Sequence, residues 1–244
     1  MKLLDLYCGA GGASMGYHRA GFEVIGVDIT PQPNYPFELI LADVFDLEES
    51  FFDEFDVIHA SPPCQAYSKA SAQWRNKGVD YPDLISATRA LLDTNPYIIE
   101  NVPMAPLFQP LTLCGTMFGL RVIRHRLFEI NADAWIYPPC DCRHNGHVYN
   151  GDYVNVTTWG AICRPPLRSK EWRKRKSDAY FAKIKKKYNV SSSGRAQYLD
   201  WCAAIGIDWM NKQTTLTKNK YDLSQAIPPA YTHHIGKLIL EGMK

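Results

Sequence analysis

No apolar run in the 244 residues approaches the roughly 18 that a membrane-crossing helix needs, so no membrane partner is expected. Met1 runs directly into "KLLDLY", a strand-like stretch. It offers neither the apolar core nor the small-residue cleavage site of a secretory leader. The seven cysteines are odd in number and lack the spacing of a disulfide framework, which argues against a stapled fold and makes a reducing cytoplasm the simplest setting. Internal repeats are absent, so a solenoid is not indicated. Net charge is small, +2 from 27 basic and 25 acidic residues, yet that balance hides an asymmetry. Residues 164–187, "RPPLRSKEWRKRKSDAYFAKIKKK", hold eleven Lys or Arg against Glu171 and Asp178, so this segment carries +9 and the rest of the chain −7. Such a contrast suits a polyanion-facing surface or a solvated basic face, and charge alone does not choose between them.

What is present first is alternation. The length suits one domain of moderate size or a domain with a small insert. Over the first 130 residues, short apolar segments, "LLDLY" (3–7), "EVIGVD" (23–28), "ELILAD" (38–43), "DVIHAS" (56–61), "YIIEN" (97–101) and "RLFEI" (126–130), read as strands. Between them "ASMGYHRAG" (13–21) and "PDLISATRALLDTN" (82–95) have helical periodicity. Strands alternating with helices predict an α/β fold with a parallel sheet covered on both faces, whose ligands bind at the carboxyl ends of the strands. From residue 131 to about 195 the periodicity is lost. It returns in two helical stretches, 196–207 and 227–243.

The residues able to do chemistry fall at those strand ends. Gly9, Gly11 and Gly12 in "DLYCGAGGAS" separate the first strand from the first helix and permit close approach of a ligand to backbone N–H groups. An ordinary strand-to-helix turn would look the same. Asp28 and Asp43 close the second and third strands. Singly each acid reads as a turn former; together, beside a Gly-rich turn, they outline a site for an adenosine. Nothing beyond that turn would hold a pyrophosphate, so a nucleoside cofactor fits as well as a dinucleotide. Cys64 in "HASPPCQAYSKAS" follows the fourth strand behind two prolines that stiffen the loop. A lone cysteine is more often a small buried hydrophobe. Glu100, however, ends the fifth strand in "IIENVP", and Arg124 and Arg126 stand close by in "VIRHRLF". A thiol, a carboxyl and two guanidinium groups at one sheet edge supply a nucleophile, a proton donor and a clamp for an anion or carbonyl.

With those residues placed, the chain resembles the cytosine-C5 DNA methyltransferases, in particular the compact versions carried by bacteriophages. The matching stretches are "DLYCGAGGASMGYHRAGF", "GVDI", "LADV", "SPPCQAYS", "IIENVP", "RHRLFEI" and "QAIPPAYTHHIG", in the family's order from residue 3 to 236. The resemblance implies a Rossmann-like sheet that binds S-adenosylmethionine, and duplex DNA whose target base is flipped out of the stack. It implies Cys64 as the nucleophile, Glu100 as the acid at the ring nitrogen, Arg126 as the grip on the base carbonyl and Arg124 as its supporting neighbour. On the cofactor side it implies Tyr7, Gly9, Ala10, Gly11, Gly12, Asp28, Ile29, Asp43, Val44, Pro63, Gln225 and Ala226. On the DNA side it implies Gln65 and Ser68, and the basic run, Arg173, Lys174, Arg175 and Lys176 included, becomes a phosphate-contacting segment. Residues 1–130 then form the catalytic and cofactor-binding domain, 131–195 a small target-recognition region, and 196–244 C-terminal helices that complete the catalytic domain. The resemblance also implies a monomer and a place in DNA modification.

The chain departs from the family at Val122, where a glutamine often stands, and at Gln225, where asparagine is usual. The motif before Gln225 is eroded in "AQYLDWCAAIGIDW" to a helix and a following aromatic. Cys140, Cys142, His144 and His147, with Cys163 nearby, match no common zinc module, and no metal is assigned on that spacing.

Overall fold

The computed structural model describes residues 1–131, 140–142, 144, 156, 182, 186, 193–210 and 216–242. The basic residues Arg173 to Lys176, and most of the stretch read as a target-recognition region, lie outside the described residues.

Seven strands form one sheet in the order β3-β2-β1-β4-β5-β7-β6: β1 Lys2–Leu6, β2 Glu23–Asp28, β3 Glu38–Leu41, β4 Val57–Ala60, β5 Tyr97–Asn101, β6 Leu111–Leu113 and β7 Arg126–Asn131. The first five are parallel neighbours, as the alternation predicts, whereas β7 runs antiparallel to both β5 and β6. The three-residue β6 was not foreseen. Helix α1, Gly12–Ala20, crosses from β1 to β2. The one-turn helices α2 (Glu49–Phe52) and α3 (Ala72–Arg75) and the longer α4 (Ile85–Leu91) follow, and α5 (Ser193–Ile205), α6 (Leu216–Gln225) and α7 (Pro229–Gly242) close the described chain.

The strands read as near-continuous apolar runs because both faces are covered. On one face Leu3, Val24, Val57, Ile98 and Phe128 pack with Tyr17 of α1 and Tyr231, Ile235 and Ile239 of α7. On the other, Leu4, Leu6, Val27, Ile58 and Ile99 pack with Phe52, Phe55 and Leu92. Helices α1 and α7 meet backbone to backbone. A Cβ on Gly16 would overlap Thr232 Oγ1 and the Pro229 carbonyl, and one on Gly12 would come within 2.8 Å of Ile227 N. Thr232 uses the closeness to donate to the Ala13 carbonyl at 2.8 Å.

Register sets the working edge. Leu6 pairs with Val27 and with Ala60, and Ala60 pairs with Ile99. The residues that follow each strand therefore emerge side by side. The chain reverses its direction of strand addition between β1 and β4, the place where such sheets open a crevice.

Candidate active site

At that crevice lies a cleft of about 310 Å³, within the ordinary size of a small-molecule site. The glycine turn after β1 forms one wall, the Cys64 loop after β4 another, and the end of α6 with the junction leading to α7 a third; Tyr7, Gly9, Ala10, Gly12, Asp28, Pro63, Cys64, Gln65, Glu100, Arg126, Gln225 and Ala226 all line it. Most of the residues read from the sequence as cofactor site and as reaction centre thus share one space.

Tyr7 has φ of 57°, a left-handed backbone costly for a non-glycine residue and found mostly at functional turns. Its hydroxyl is tied to Thr88 Oγ1 at 3.0 Å. Gly9 N donates to Asp28 Oδ2 at 3.0 Å, while Thr30 N and Oγ1 donate to Asp28 Oδ1, each at 2.9 Å. The carboxylate is oriented by its own loop and held against the turn after β1. Gly11, Ile29, Asp43 and Val44 are not part of the cleft wall. Ile29 is exposed, Asp43 accepts from Phe45 N at 3.1 Å as the cap of a short 3₁₀ turn, and Val44 turns its side chain into the core.

The Cys64 loop is closed on itself. Tyr67 N and Ser68 N donate to the Cys64 carbonyl at 3.0 and 2.8 Å. Arg75 Nη1 donates to the carbonyls of Gln65 and Ser68 at 2.6 and 3.0 Å. Ser68 Oγ, read as DNA-facing, is engaged with Ser71 Oγ at 2.7 Å and lies outside the cleft wall. Asn101 Nδ2 donates to the Pro62 carbonyl at 2.9 Å, which fastens the proline mount to β5. Asn101 lies within "IIENVP", and nothing in that stretch of sequence signals that its amide braces the Cys64 loop.

Glu100 is buried, and burial raises its carboxyl while Arg126 and Arg124 pull it back. Arg126 Nε lies 2.9 Å from Glu100 Oε1, yet that oxygen has no hydrogen-bond partner. The ion pair is made by proximity, and the carboxyl keeps an acceptor position to offer. Because β7 is antiparallel to β5, with Asn101 opposite Leu127, it is the start of β7 and not its end that brings Arg126 to the acid. Burial likewise raises the Cys64 thiol; the Arg126 charge lowers it and Glu100 raises it again. At rest the group is a thiol, poised beside a guanidinium able to favour its ionised form.

Arg124 is buried outside the cleft. Its Nη2 donates to the Ser224 carbonyl at 2.6 Å and its own carbonyl accepts from Tyr231 Oη at 2.5 Å. It pins the segment before β7 to the α6–α7 junction, which makes it a positioning residue. Burial, with Arg126 beside it, lowers its guanidinium to about 9. Val122, in place of a polar residue, is buried in the core. The eroded motif still delivers its aromatic: Trp209 Nε1 donates to the Ala10 carbonyl at 3.1 Å and buttresses the glycine turn.

His59, in the middle of β4, was not singled out in the sequence. It is fully buried, with Nδ1 3.0 Å from Tyr17 Oη and Nε2 2.9 Å from Ser61 Oγ. Burial lowers it to about 3, so it is neutral. Ser61 in turn is among the groups that lower the Glu100 carboxyl. A file of side chains from α1 through β4 therefore leads to Ser61, on the cleft wall beside the acid.

The model of the C-5 cytosine-specific DNA methylases matches residues 1–106. Type II methyltransferase M.HgiGI of Herpetosiphon aurantiacus is 32% identical over 121 residues, which are 44% of this chain and 94% of that protein. The chain belongs to the C-5 cytosine-specific DNA methylase family. Type II methyltransferase M.FnuDI of Fusobacterium nucleatum is 33% identical over 114 residues, 42% of this chain and 32% of that protein. The match thus spans about a third of the length of that curated relative. The fold extends further than the sequence likeness: the solved structure of Entamoeba histolytica methyltransferase EhMeth superposes with a TM-score of 0.62 at 12% identity, over 100% of this chain and 99% of that one. Within the methylase family's fold, Cys64, Glu100 and Arg126 line one cleft at an edge of the sheet, and no described helix is long and apolar enough to cross a membrane.

Proposed function

We propose that this protein transfers a methyl group from S-adenosylmethionine to carbon 5 of cytosine in duplex DNA, through a covalent bond between Cys64 and carbon 6 of the base. The observation that carries the reading is the single cleft that joins Asp28 and the glycine turn to Cys64, Glu100 and Arg126.

The donor set fits the cofactor. Asp28, held by Gly9 and Thr30, presents a carboxylate suited to ribose hydroxyls, and the turn from Tyr7 to Gly12 leaves room for the methionine portion. When bound, S-adenosylmethionine supplies the electrophilic methyl group. Carbon 5 of cytosine is a poor nucleophile, and the protein's residues correct that. Cys64 releases its proton to solvent and adds its sulfur to carbon 6, breaking the 5,6 double bond and moving an electron pair toward carbon 5. Glu100 hydrogen-bonds or protonates N3, where charge gathers, and Arg126 polarises the base carbonyl. After methylation a base removes the carbon-5 proton, the double bond re-forms and the Cys64 sulfur leaves. A base inside a duplex cannot reach this cleft, so it is flipped out; Gln65, whose Oε1 is buried without a partner at the cleft wall, faces the entering nucleotide. The basic run from 164 to 187 supplies salt-dependent phosphate contacts, and DNA modification of the restriction-protection kind is the role this chemistry serves.

The test is trapping on 5-fluorocytosine, which cannot release its carbon-5 substituent as a proton. Duplex DNA carrying it, with S-adenosylmethionine, is expected to form a stable adduct mapped to Cys64 by mass spectrometry. An adduct with RNA and none with any DNA would overturn the substrate; no adduct with either would overturn the mechanism.

A further inference from the structure

We propose that Cys114, His125, Cys142 and His144 hold one zinc ion in a closed tetrahedral site that fastens the segment after β7 to the β6–β7 end of the sheet. The ligand atoms of these four residues all lie within 4.8 Å of one another. Only Cys142 and His144 belong to the Cys/His group visible in the sequence. The other two come from the sheet. Leu113 pairs with Arg126 across β6 and β7, so Cys114 and His125 are the next residues beyond the ladder and face each other by register.

The distances suit a metal. A tetrahedral zinc ion, with Zn–S of about 2.3 Å and Zn–N of about 2.0 Å, sets a sulfur and a nitrogen about 3.5 Å apart. His125 Nε2 lies 3.3 Å from Cys142 Sγ and Cys114 Sγ lies 3.6 Å from His144 Nε2. Two separate thiol–imidazole hydrogen bonds would account for each distance alone, but they give no reason for the two pairs to converge. The two imidazoles stand edge to face, 5.4 Å between centroids, and in each it is Nε2 that meets a sulfur.

The surroundings favour a cation. Two thiols and two imidazoles converge here from separate segments, a set that a divalent ion binds by releasing two thiol protons and taking up four lone pairs. Thr116 Oγ1 lies 3.5 Å from Cys114 Sγ and donates to it, an outer hydrogen bond of the kind that steadies a thiolate ligand. Two sulfurs and two imidazoles with no carboxylate select zinc over calcium or magnesium. Four protein ligands leave no open position, so the ion is structural and independent of the methyl-transfer reading. Its reach into the reaction centre is indirect: His125 precedes Arg126, which contacts Glu100.

The protein purified under reductant without chelator is expected to carry one zinc per chain by elemental mass spectrometry. After zinc removal, cobalt(II) should bind at one equivalent with the intense visible bands of a tetrahedral ion and thiolate-to-metal charge transfer in the near ultraviolet, both abolished by added zinc. Cys142→Ser and His144→Ala lie in a surface segment away from the sheet core, and each should weaken binding by roughly a hundredfold or more. Cys140→Ser, whose sulfur lies outside the four, should keep one equivalent. A folded wild-type protein without stoichiometric zinc, an octahedral cobalt spectrum, a Cys114–Cys142 disulfide, loss of metal in Cys140→Ser, or its retention in both ligand variants would each overturn the site.

Discussion

Arg126 Nε stands 2.9 Å from Glu100 Oε1, and both side chains line the wall from which Cys64 projects. The two act on the thiol in opposite senses, since the guanidinium lowers it and the carboxyl raises it against a background of burial. Glu100→Gln should therefore move the pH midpoint of Cys64 alkylation downward, and Arg126→Gln should move it upward. The measurement is the iodoacetamide rate at Cys64, followed by peptide mass spectrometry across pH. Shifts of the same sign would show that the pair does not set the thiol. In methyl transfer both variants lose, with Glu100→Gln falling by about a hundredfold or more, the usual worth of a placed general acid.

Asp28 is oriented from both sides, by Gly9 N and by Thr30. If the carboxylate holds ribose hydroxyls, Asp28→Ala should weaken S-adenosylmethionine by about tenfold to a hundredfold, the cost of losing hydrogen bonds to a charged group. Calorimetric titration reads this directly. Cys64 alkylation should be unchanged in the same variant, which separates a lost ligand contact from a collapsed cleft. Unaltered affinity would remove Asp28 from the cofactor site.

Asn101 connects β5 to the Cys64 loop by donating to Pro62 O while accepting from Val102 N. Asn101→Ala removes both bonds and leaves a buried carbonyl unpaired, at a cost of about 1–3 kcal/mol. Urea unfolding should show that loss. Methyl transfer should fall with cofactor affinity unchanged, because the displaced loop carries the nucleophile and not the Asp28 wall. Full activity at reduced stability would mean the loop needs no strut.

How much of this was legible follows from what the chain makes periodic. Asp28, Cys64 and Glu100 each follow an apolar run, and in a parallel sheet the ends of such runs lie together, so their convergence could be read without coordinates. Arg126 needed more, since it reaches Glu100 only because β7 runs backward. Strand β6 is three residues long and carries no alternation to detect. Helix α6 hides its buried face, which includes Asn219, Asp222 and Ser224 beside Leu223, so its pattern looks polar throughout. His59 reads as one more strand residue until Tyr17 and Ser61 are seen on either side of it. Cys114 and His125 are eleven positions apart with no motif between them; only the β6–β7 register makes them neighbours.

Gly16 sits where α1 touches α7, and an added Cβ there would overlap Thr232 Oγ1 and the Pro229 carbonyl. Gly16→Ala should destabilise the protein by about 3 kcal/mol, near the upper range for overpacking, because a backbone atom cannot rotate away. Thermal or urea unfolding checks this. The double variant Gly16→Ala with Thr232→Ala should recover only part of the loss, since the carbonyl remains and the bond from Thr232 to Ala13 is gone. A neutral Gly16→Ala would mean that the two helices separate at little cost.

Asp5 lies fully buried on β1, accepts from Ser14 Oγ, and leaves Oδ1 without a partner. Burial is the largest influence on it and raises it from its ordinary 3.8 to about 7. The sign follows from linkage. Below about pH 4 the folded and unfolded chains both hold the proton, and the stabilisation from the neutral buried acid is fully present. Between about 4 and 7 the unfolded chain releases that proton while the folded one keeps it, so stability is lost as pH rises until the folded group ionises as well. Asp5→Asn keeps an acceptor for Ser14 and cannot ionise. Its stability relative to the parent chain should therefore climb from pH 4 to pH 7 and level off above, as read from urea midpoints of both proteins across that range. A flat difference, or one that falls with pH, would mean that Asp5 is already a stabilised carboxylate in the folded protein.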